Sequence, residues 1–348
     1  MKVGVVNMHC PFVWGGAEFL TDSLAERARR RGHQVEVIRI PFQWYPDEQV
    51  LAHMLACRLM RVGGDGMDLM IGIKFPAYLC PFPNKKLWLC HQFRQVYDMW
   101  GSELGGVPDT PAGRGLRAAV KAADADALAQ VKGGLFTISQ MVADRMKRFN
   151  GVTVDEVLRH PLDRPEVFRP GEFGDYFFYP SRMGTMKRQH VAVEALRHTR
   201  RPVHLVLAGK PDSDAYGADL LKKIEMWGLK DRVTLLGWVT EEEKAKWMSG
   251  ACGVVYTPVD EDSYGYVTLE GFHSHKPVLT CTDSGGTLEV IEDGRNGLVL
   301  DPTPEGLAAG MDRLLDDKRL ARELGEDAFA TIARHRIDWE YVLDRLVG

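Results

Sequence analysis

The chain has 348 residues, 45% hydrophobic and 26% charged, with a formal net charge of −4. That length exceeds what one core ordinarily fills, so two domains are expected, and the composition is that of a globular protein. No uncharged run approaches the ~20 apolar residues of a membrane-spanning helix, and six scattered cysteines without a C-x-x-C pair read as reduced thiols in a chain too long to need disulfide staples.

Met1–Asn7 is an apolar run that stops too early for a signal peptide and reads as a first strand, Lys2–Asn7. A helix follows from about Ala17 to Arg31, closed by Gly32 at the left-handed position after its end. Next come strand Gln34–Ile40, an apolar helix over Gln49–Val62, and strands Asp68–Ile73, Lys86–Cys90 and Gly134–Ile138, with Ser139 heading a further helix. Pro161, Pro165 and Pro170 place an interdomain linker at 161–173, because proline favours extended or turn backbone.

The second half repeats the alternation. Strands at Tyr176–Pro180, Val203–Ala208, Val233–Leu236, Gly253–Tyr256 and Val278–Thr280 are separated by helices at Gln189–Arg197, Tyr216–Trp227, Glu241–Ser249 and Val267–Ser274. The end of the chain is helical, with Trp339, Val342 and Leu346 on one stripe. Strands and helices alternating at these intervals imply parallel sheets with crossover helices. The expected organisation is a Rossmann-like domain over 1–165, a second over 166–335, and a closing helix at 336–348. The first 165 residues carry 21 Lys and Arg against 17 Asp and Glu, and the remainder 23 against 31. Solvated faces account for so mild an asymmetry, although a basic first half suits an anionic acceptor or a membrane surface; no nucleic-acid partner is expected.

Asp262-Ser263-Tyr264-Gly265-Tyr266-Val267-Thr268-Leu269-Glu270 is the most informative stretch. It falls on a strand-to-helix turn at the carboxyl edge of a sheet, where open α/β sheets bind ligands. Amides at 264–267 can hold a phosphate against the positive end of the helix, and the flanking carboxylates can accept hydrogen bonds from sugar hydroxyls. A nucleotide sugar fits that combination. Arg182 and Lys187, five apart after a strand, are cations suited to a pyrophosphate, with Arg188 next door as a competitor for the role. Gly15-Gly16 before a helix permits close backbone approach, but no G-x-G-x-x-G accompanies it, which counts against a dinucleotide enzyme. His91 follows a strand. On the same loop Arg94, Tyr97 and Trp100 make an aromatic and cationic edge suited to an acceptor sugar or an anionic acceptor. Ser139 reads as an N-cap. Asp260-Glu261-Asp262 spells a D-x-D metal motif, and is read as a hydroxyl acceptor rather than a metal site.

The nonamer is similar to the Glu-x7-Glu signature of retaining GT-B glycosyltransferases of family 4, with Asp262 where that family has Glu. The resemblance continues in the family's order through Gly15-Gly16-Ala17-Glu18, His91, Arg182 with Lys187, Gly209, Gly237-Trp238-Val239, Lys276-Pro277-Val278, Gly285-Gly286 and Asp293-Gly294-Arg295-Asn296-Gly297-Leu298. It implies the GT-B fold: two Rossmann-like domains facing across a cleft, acceptor bound by the first and donor by the second, with the terminal helix crossing back to the first.

It further implies sugar transfer from a UDP- or GDP-sugar to a carbohydrate or lipid-linked acceptor, in assembly of a surface polysaccharide, glycolipid or glycosylated metabolite. No cofactor and no metal are implied, and the protein is expected in the cytoplasm or peripherally at the inner face of the membrane. By the same resemblance Arg182 and Lys187 bind the diphosphate, Asp262 holds donor-sugar hydroxyls, His91 lies beside the donor sugar, and Glu270 accepts from the ribose. Gly15, Gly16, Ser139, Gly209, Gly237, Trp238, Val239, Tyr264, Gly265, Tyr266 and Val267 complete the donor site. No carboxylate of the first domain stands out as a base, which fits a front-face mechanism in which the leaving phosphate takes the acceptor proton. Two other readings use a similar fold: a nucleotide-sugar 2-epimerase, which needs additional acid/base carboxylates, and a sugar-nucleotide binder without turnover, to which only Asp262 points.

Overall fold

Val3, Val5, Val6 and Met8 are all buried in β1 (Lys2–His9), and a strand apolar on both faces requires helices on both sides of its sheet. In this computed structural model, which describes residues 1–63, 66–103 and 105–348, the chain divides into one unit of residues 1–160 with 337–348 and another of residues 161–336. The first unit runs β1, α1 (Gly16–Arg30), β2 (Gln34–Pro41), α2 (Asp47–Leu59), β3 (Leu69–Gly72), β4 (Lys85–Leu89), α3 (Pro111–Ala129), β5 (Gly134–Thr137), α4 (Gln140–Asn150) and β6 (Glu156–Val157). Its strands pair in parallel in the order β2-β1-β3-β4-β5-β6. Asn7 fixes α1 on β1 by donating to the Thr21 hydroxyl at 2.9 Å.

The second unit runs β7 (Tyr176–Pro180), α5 (Gln189–Ala195), β8 (His204–Ala208), α6 (Asp214–Met226), β9 (Val233–Leu235), α7 (Glu241–Gly250), β10 (Gly253–Val255), α8 (Gly265–His273), β11 (Val278–Cys281), β12 (Gly297–Leu300), α9 (Pro304–Asp316) and α10 (Lys318–Arg334). These strands are also parallel, in the order β12-β11-β10-β7-β8-β9. Each sheet changes its direction of winding once, between β1 and β3 in the first and between β7 and β10 in the second. Loops leaving neighbouring strands toward opposite sides open a crevice there, at the carboxyl ends of the strands.

The closing helix α11 (Trp339–Leu346) belongs to the first unit. Trp339 meets the edge of the fully buried Trp88 with ring centroids 6.1 Å apart, Val342 and Leu346 are fully buried, and Arg345 pairs with Glu156 at 2.7 Å. Residues 161–165, expected with the first domain, group with the second, where Arg164 pairs with Glu241 at 2.9 Å and Glu242 at 2.8 Å. No helix among the described residues is long and apolar enough to cross a membrane.

Helix α3 is an element that hydrophobic periodicity did not reveal. Its buried stripe, Leu116, Val120, Ala123 and Ala127, is half alanine, and Thr110 starts it by accepting from the Gly113 amide at 3.1 Å. Asp124 anchors it: this buried carboxylate accepts from the Tyr78 hydroxyl at 2.8 Å and the Tyr97 hydroxyl at 2.7 Å. Burial pushes the Asp124 carboxyl up to about 7 from an ordinary 3.8, against the lowering by its two tyrosine hydrogen bonds. Since the folded chain then holds this proton more tightly than the unfolded one, the group favours folding below about pH 4 and loses that contribution as pH rises through 7. Wild-type stability should therefore fall between pH 5 and pH 8 relative to Asp124→Asn in urea titrations. Parallel pH curves for the two proteins would contradict this.

Candidate functional site

The crevice between β7 and β10 is organised by a charged side chain that is almost fully buried. Arg188, at the amino end of α5 with φ of +57°, donates to the Thr257 and Pro258 carbonyls at 2.8 and 2.9 Å and grips both carboxylate oxygens of Asp283 at 2.7 and 2.8 Å. It thereby ties the loop after β7 to the chain leaving β10 and β11. Gln189 fixes the other side of that loop, accepting from the Gly184 amide and donating to the Arg182 carbonyl, each at 3.1 Å. Arg188 is thus a structural cation, and the two site cations named from the sequence are left on the loop surface. Arg182 is exposed, with no ion pair to its guanidinium among the described residues. Lys187 donates to the Tyr256 hydroxyl at 3.0 Å, lies over that ring and pairs with Glu261.

The nonamer is shaped by glycines that cannot be replaced by larger residues. Gly265, the first residue of α8, has φ of +71°, and a Cβ there would come within 2.6 Å of the Tyr256 ring. The preceding turn pairs with Gly285-Gly286: Glu261 forms a parallel bridge with Gly285, and a Cβ on Gly286 would lie 2.7 Å from the Ser263 Cα. The first turn of α8, with amides that helix geometry leaves without intrahelical partners, therefore starts directly beside the Lys187 loop. Tyr264 and Val267 are buried, while Asp262 and Tyr266 are partly exposed. Among the described residues no group of three or more His, Cys, Asp and Glu is arranged to hold a metal ion, and the Glu261 carboxylate is engaged by Lys187.

Glu270, near the end of the nonamer's helix, is 5% exposed. One carboxylate oxygen pairs with Lys244 of α7, and the other, Oε2, is buried with no protein partner. Lys244 escaped sequence reading because it follows three glutamates at the start of a helix, where a solvated i,i+3 or i,i+4 partner is the ordinary expectation. The remaining second-unit glycines expected at a donor site lie on the same sheet edge. Gly209, after β8, has φ of +135° and donates to the Gly237 carbonyl at 2.7 Å; a Cβ on it would meet the Ser181 carbonyl oxygen at 2.2 Å. Trp238 beside Gly237 is 68% exposed, a large apolar ring held open at the end of β9, and Val239 is half-buried.

The first unit places its candidates at the carboxyl edge of its own sheet. Gly15 and Gly16 open α1 at the β1/β3 crevice, and the Gly15 amide donates to Glu18 at 2.9 Å. His91, after β4, is half-buried and its Nδ1 donates to the Gln92 carbonyl. Ser139 caps α4, accepting from the Val142 amide at 3.1 Å. The proposed acceptor edge is corrected in part. Tyr97 is buried at 3% exposure and committed to Asp124 and Asn150, so it belongs to the core. Arg94 pairs with Asp98 at 2.7 Å, and Trp100 is covered on one face by the Arg117 guanidinium 4.7 Å from its centroid.

Residues 164–331, all within the second unit, match the family described as Glycosyl transferases group 1. Among curated relatives, the chain is 30% identical over 128 residues to alpha-1,3/1,6-mannosyltransferase ALG2 of Dictyostelium discoideum, covering 35% of this chain and 30% of the relative. It is 35% identical over 155 residues to alpha-D-kanosaminyltransferase of Streptomyces kanamyceticus, covering 43% and 39%. The chain thus spans well under half the length of these relatives. Solved structures match nearly end to end: sucrose-phosphate synthase from Thermosynechococcus elongatus at TM-score 0.79 and 16% identity, covering 98% of this chain and 96% of that one. Anabaena HepE in complex with UDP-glucose matches at 0.73 and 17%, covering 99% and 98%. WaaG, a glycosyltransferase of lipopolysaccharide biosynthesis, matches at 0.73 and 15%, covering all of both chains. The fold is GT-B.

Removing the Arg188 cation should be expensive, because it leaves two carbonyls and a carboxylate without their donor. Arg188→Met is expected to cost about 3–5 kcal/mol in urea unfolding of the second unit. Arg188→Lys should recover only part of it, since an ammonium cannot reproduce the guanidinium fork. A lysine variant as stable as wild type would show that the fork geometry is irrelevant.

Proposed function

We propose that this protein transfers a sugar from a nucleoside-diphosphate sugar to an acceptor hydroxyl, with retention of anomeric configuration and without a metal ion. The observation that carries the reading is the set of groups sharing the β7/β10 edge: Arg182 and Lys187, the amino end of α8, and the unpartnered oxygen of Glu270. All lie within the segment that matches Glycosyl transferases group 1. UDP and UDP-glucose in the HepE structures support a nucleotide-sugar donor, and the transferase names of the curated relatives support transfer over epimerisation.

In this mechanism the donor diphosphate displaces Glu261 from Lys187 and lies between that ammonium, Arg182 and the α8 amides. As the bond from the anomeric carbon to the phosphate oxygen breaks, negative charge grows on the leaving pyrophosphate, where these fixed positive groups stabilise it most. The acceptor oxygen bonds to the anomeric carbon on the face the leaving group vacates, and its proton passes to a phosphate oxygen. Asp262 accepts hydrogen bonds from donor-sugar hydroxyls and Glu270 from the ribose. The first unit, with His91, Gly15, Gly16 and Ser139 at the carboxyl edge of its own sheet, takes a carbohydrate or lipid-linked acceptor, in surface polysaccharide, glycolipid or glycosylated-metabolite assembly.

Alanine at Arg182 or Lys187 should lower kcat/KM by a larger factor than it weakens ground-state donor binding, because both act on charge that develops in the transition state. Turnover should persist in excess EDTA. An alanine effect confined to KM, or loss of activity in EDTA restored by manganese or magnesium, would contradict the proposal.

A further inference from the structure

Glu270 has one oxygen saturated and the other bare, an asymmetry that its own helix does not impose. A free carboxylate can rotate, and a buried one left half-satisfied bears a desolvation cost, so something must hold the bare oxygen where it is. Lys244 does both parts of this. Its ammonium takes Oε1 of Glu270, and as a partly buried counter-ion it offsets the carboxylate's charge. Lys244 is itself braced, lying over the Phe168 ring at 5.4 Å. It sits one turn into α7, which Thr240 and Glu243 cap reciprocally at 3.2 and 2.9 Å. The nearby Glu241 also feels the Lys244 charge, but one of its oxygens is held by Arg164 at 2.9 Å, and Lys244 makes its hydrogen bond to Glu270.

We infer that Lys244 is the positioning residue that fixes Glu270 with one oxygen presented to the nucleotide ribose, and so sets selectivity for ribonucleotides over deoxyribonucleotides. This rests on the donor reading above. Lys244 touches neither the sugar nor the reacting atoms; it acts through Glu270 alone. A merely structural Lys244 would change stability when replaced but leave the ratio of ribo- to deoxynucleotide affinity alone.

The test is calorimetry on the full chain with UDP and GDP and the 2′-deoxy and 3′-deoxy forms of whichever binds. Wild type should prefer the ribonucleotide by more than about tenfold, the size of one charged hydrogen bond. E270Q should lose most of that preference, K244M should lose a comparable share, K244R should keep it, and E270Q/K244M should be no worse than E270Q. Should K244M fail to fold, K244Q, which keeps a donor to Oε1 without the charge, takes its place and is expected to weaken the preference. If the Lys244 variants keep the wild-type preference while E270Q loses it, the inference is overturned and the donor reading stands. If wild type binds a nucleotide without any ribose preference, or binds none, the donor reading fails and takes the inference with it.

Discussion

The guanidinium of Arg188 joins three pieces of backbone that the sequence keeps far apart: the loop after β7, the chain leaving β10 and the turn after β11. A parallel sheet sends each of these loops to its own helix, and nothing in the ladder hydrogen bonds holds one loop against another. A fork of five donors suits the task because it can satisfy two carbonyls and a carboxylate together. With that clamp in place Lys187, one residue earlier, has little freedom. Its carbonyl is taken by the Tyr179 hydroxyl and its ammonium is aimed at Tyr256 and Glu261.

The glycines carry the complementary constraint. Where Arg188 pulls the loops together, Gly265, Gly285, Gly286 and Gly209 let backbone approach backbone or ring more closely than a Cβ allows. The helix that begins at Gly265 then starts at the crevice, where its first amide donates to the Ser263 hydroxyl at 3.3 Å. The buried Glu270 oxygen without a partner is costly to leave unsatisfied in a folded protein. That oxygen, on the same sheet edge as Arg182, Lys187 and the start of α8, is the physical argument for the proposed ligand.

Much of this was legible in the sequence because it depends on short-range pattern. Alternating apolar strands and amphipathic helices located β7 to β11 within a residue or two, and the spacing from Asp262 to Glu270 placed a glycine at the mouth of a helix. The failures are long-range. Arg188 and Lys187 are adjacent cations, and only the fold turns one inward to carbonyls and the other outward. Tyr97 looked like a surface aromatic in a polar loop, yet Asp124, 27 residues away on an unrecognised helix, draws it into the core. Lys244 owes its importance to Glu270, 26 residues on, which no local signal connects to it.

The central claim is that a nucleoside-diphosphate sugar completes the β7/β10 edge. Hydrogen–deuterium exchange of the full chain, with and without saturating UDP- or GDP-sugar, reads that edge directly. The account predicts slowed exchange over residues 182–188, 209–210, 237–239 and 262–270, with the α8 amides protected most. Binding that protects other segments while leaving the first turn of α8 unchanged would contradict it.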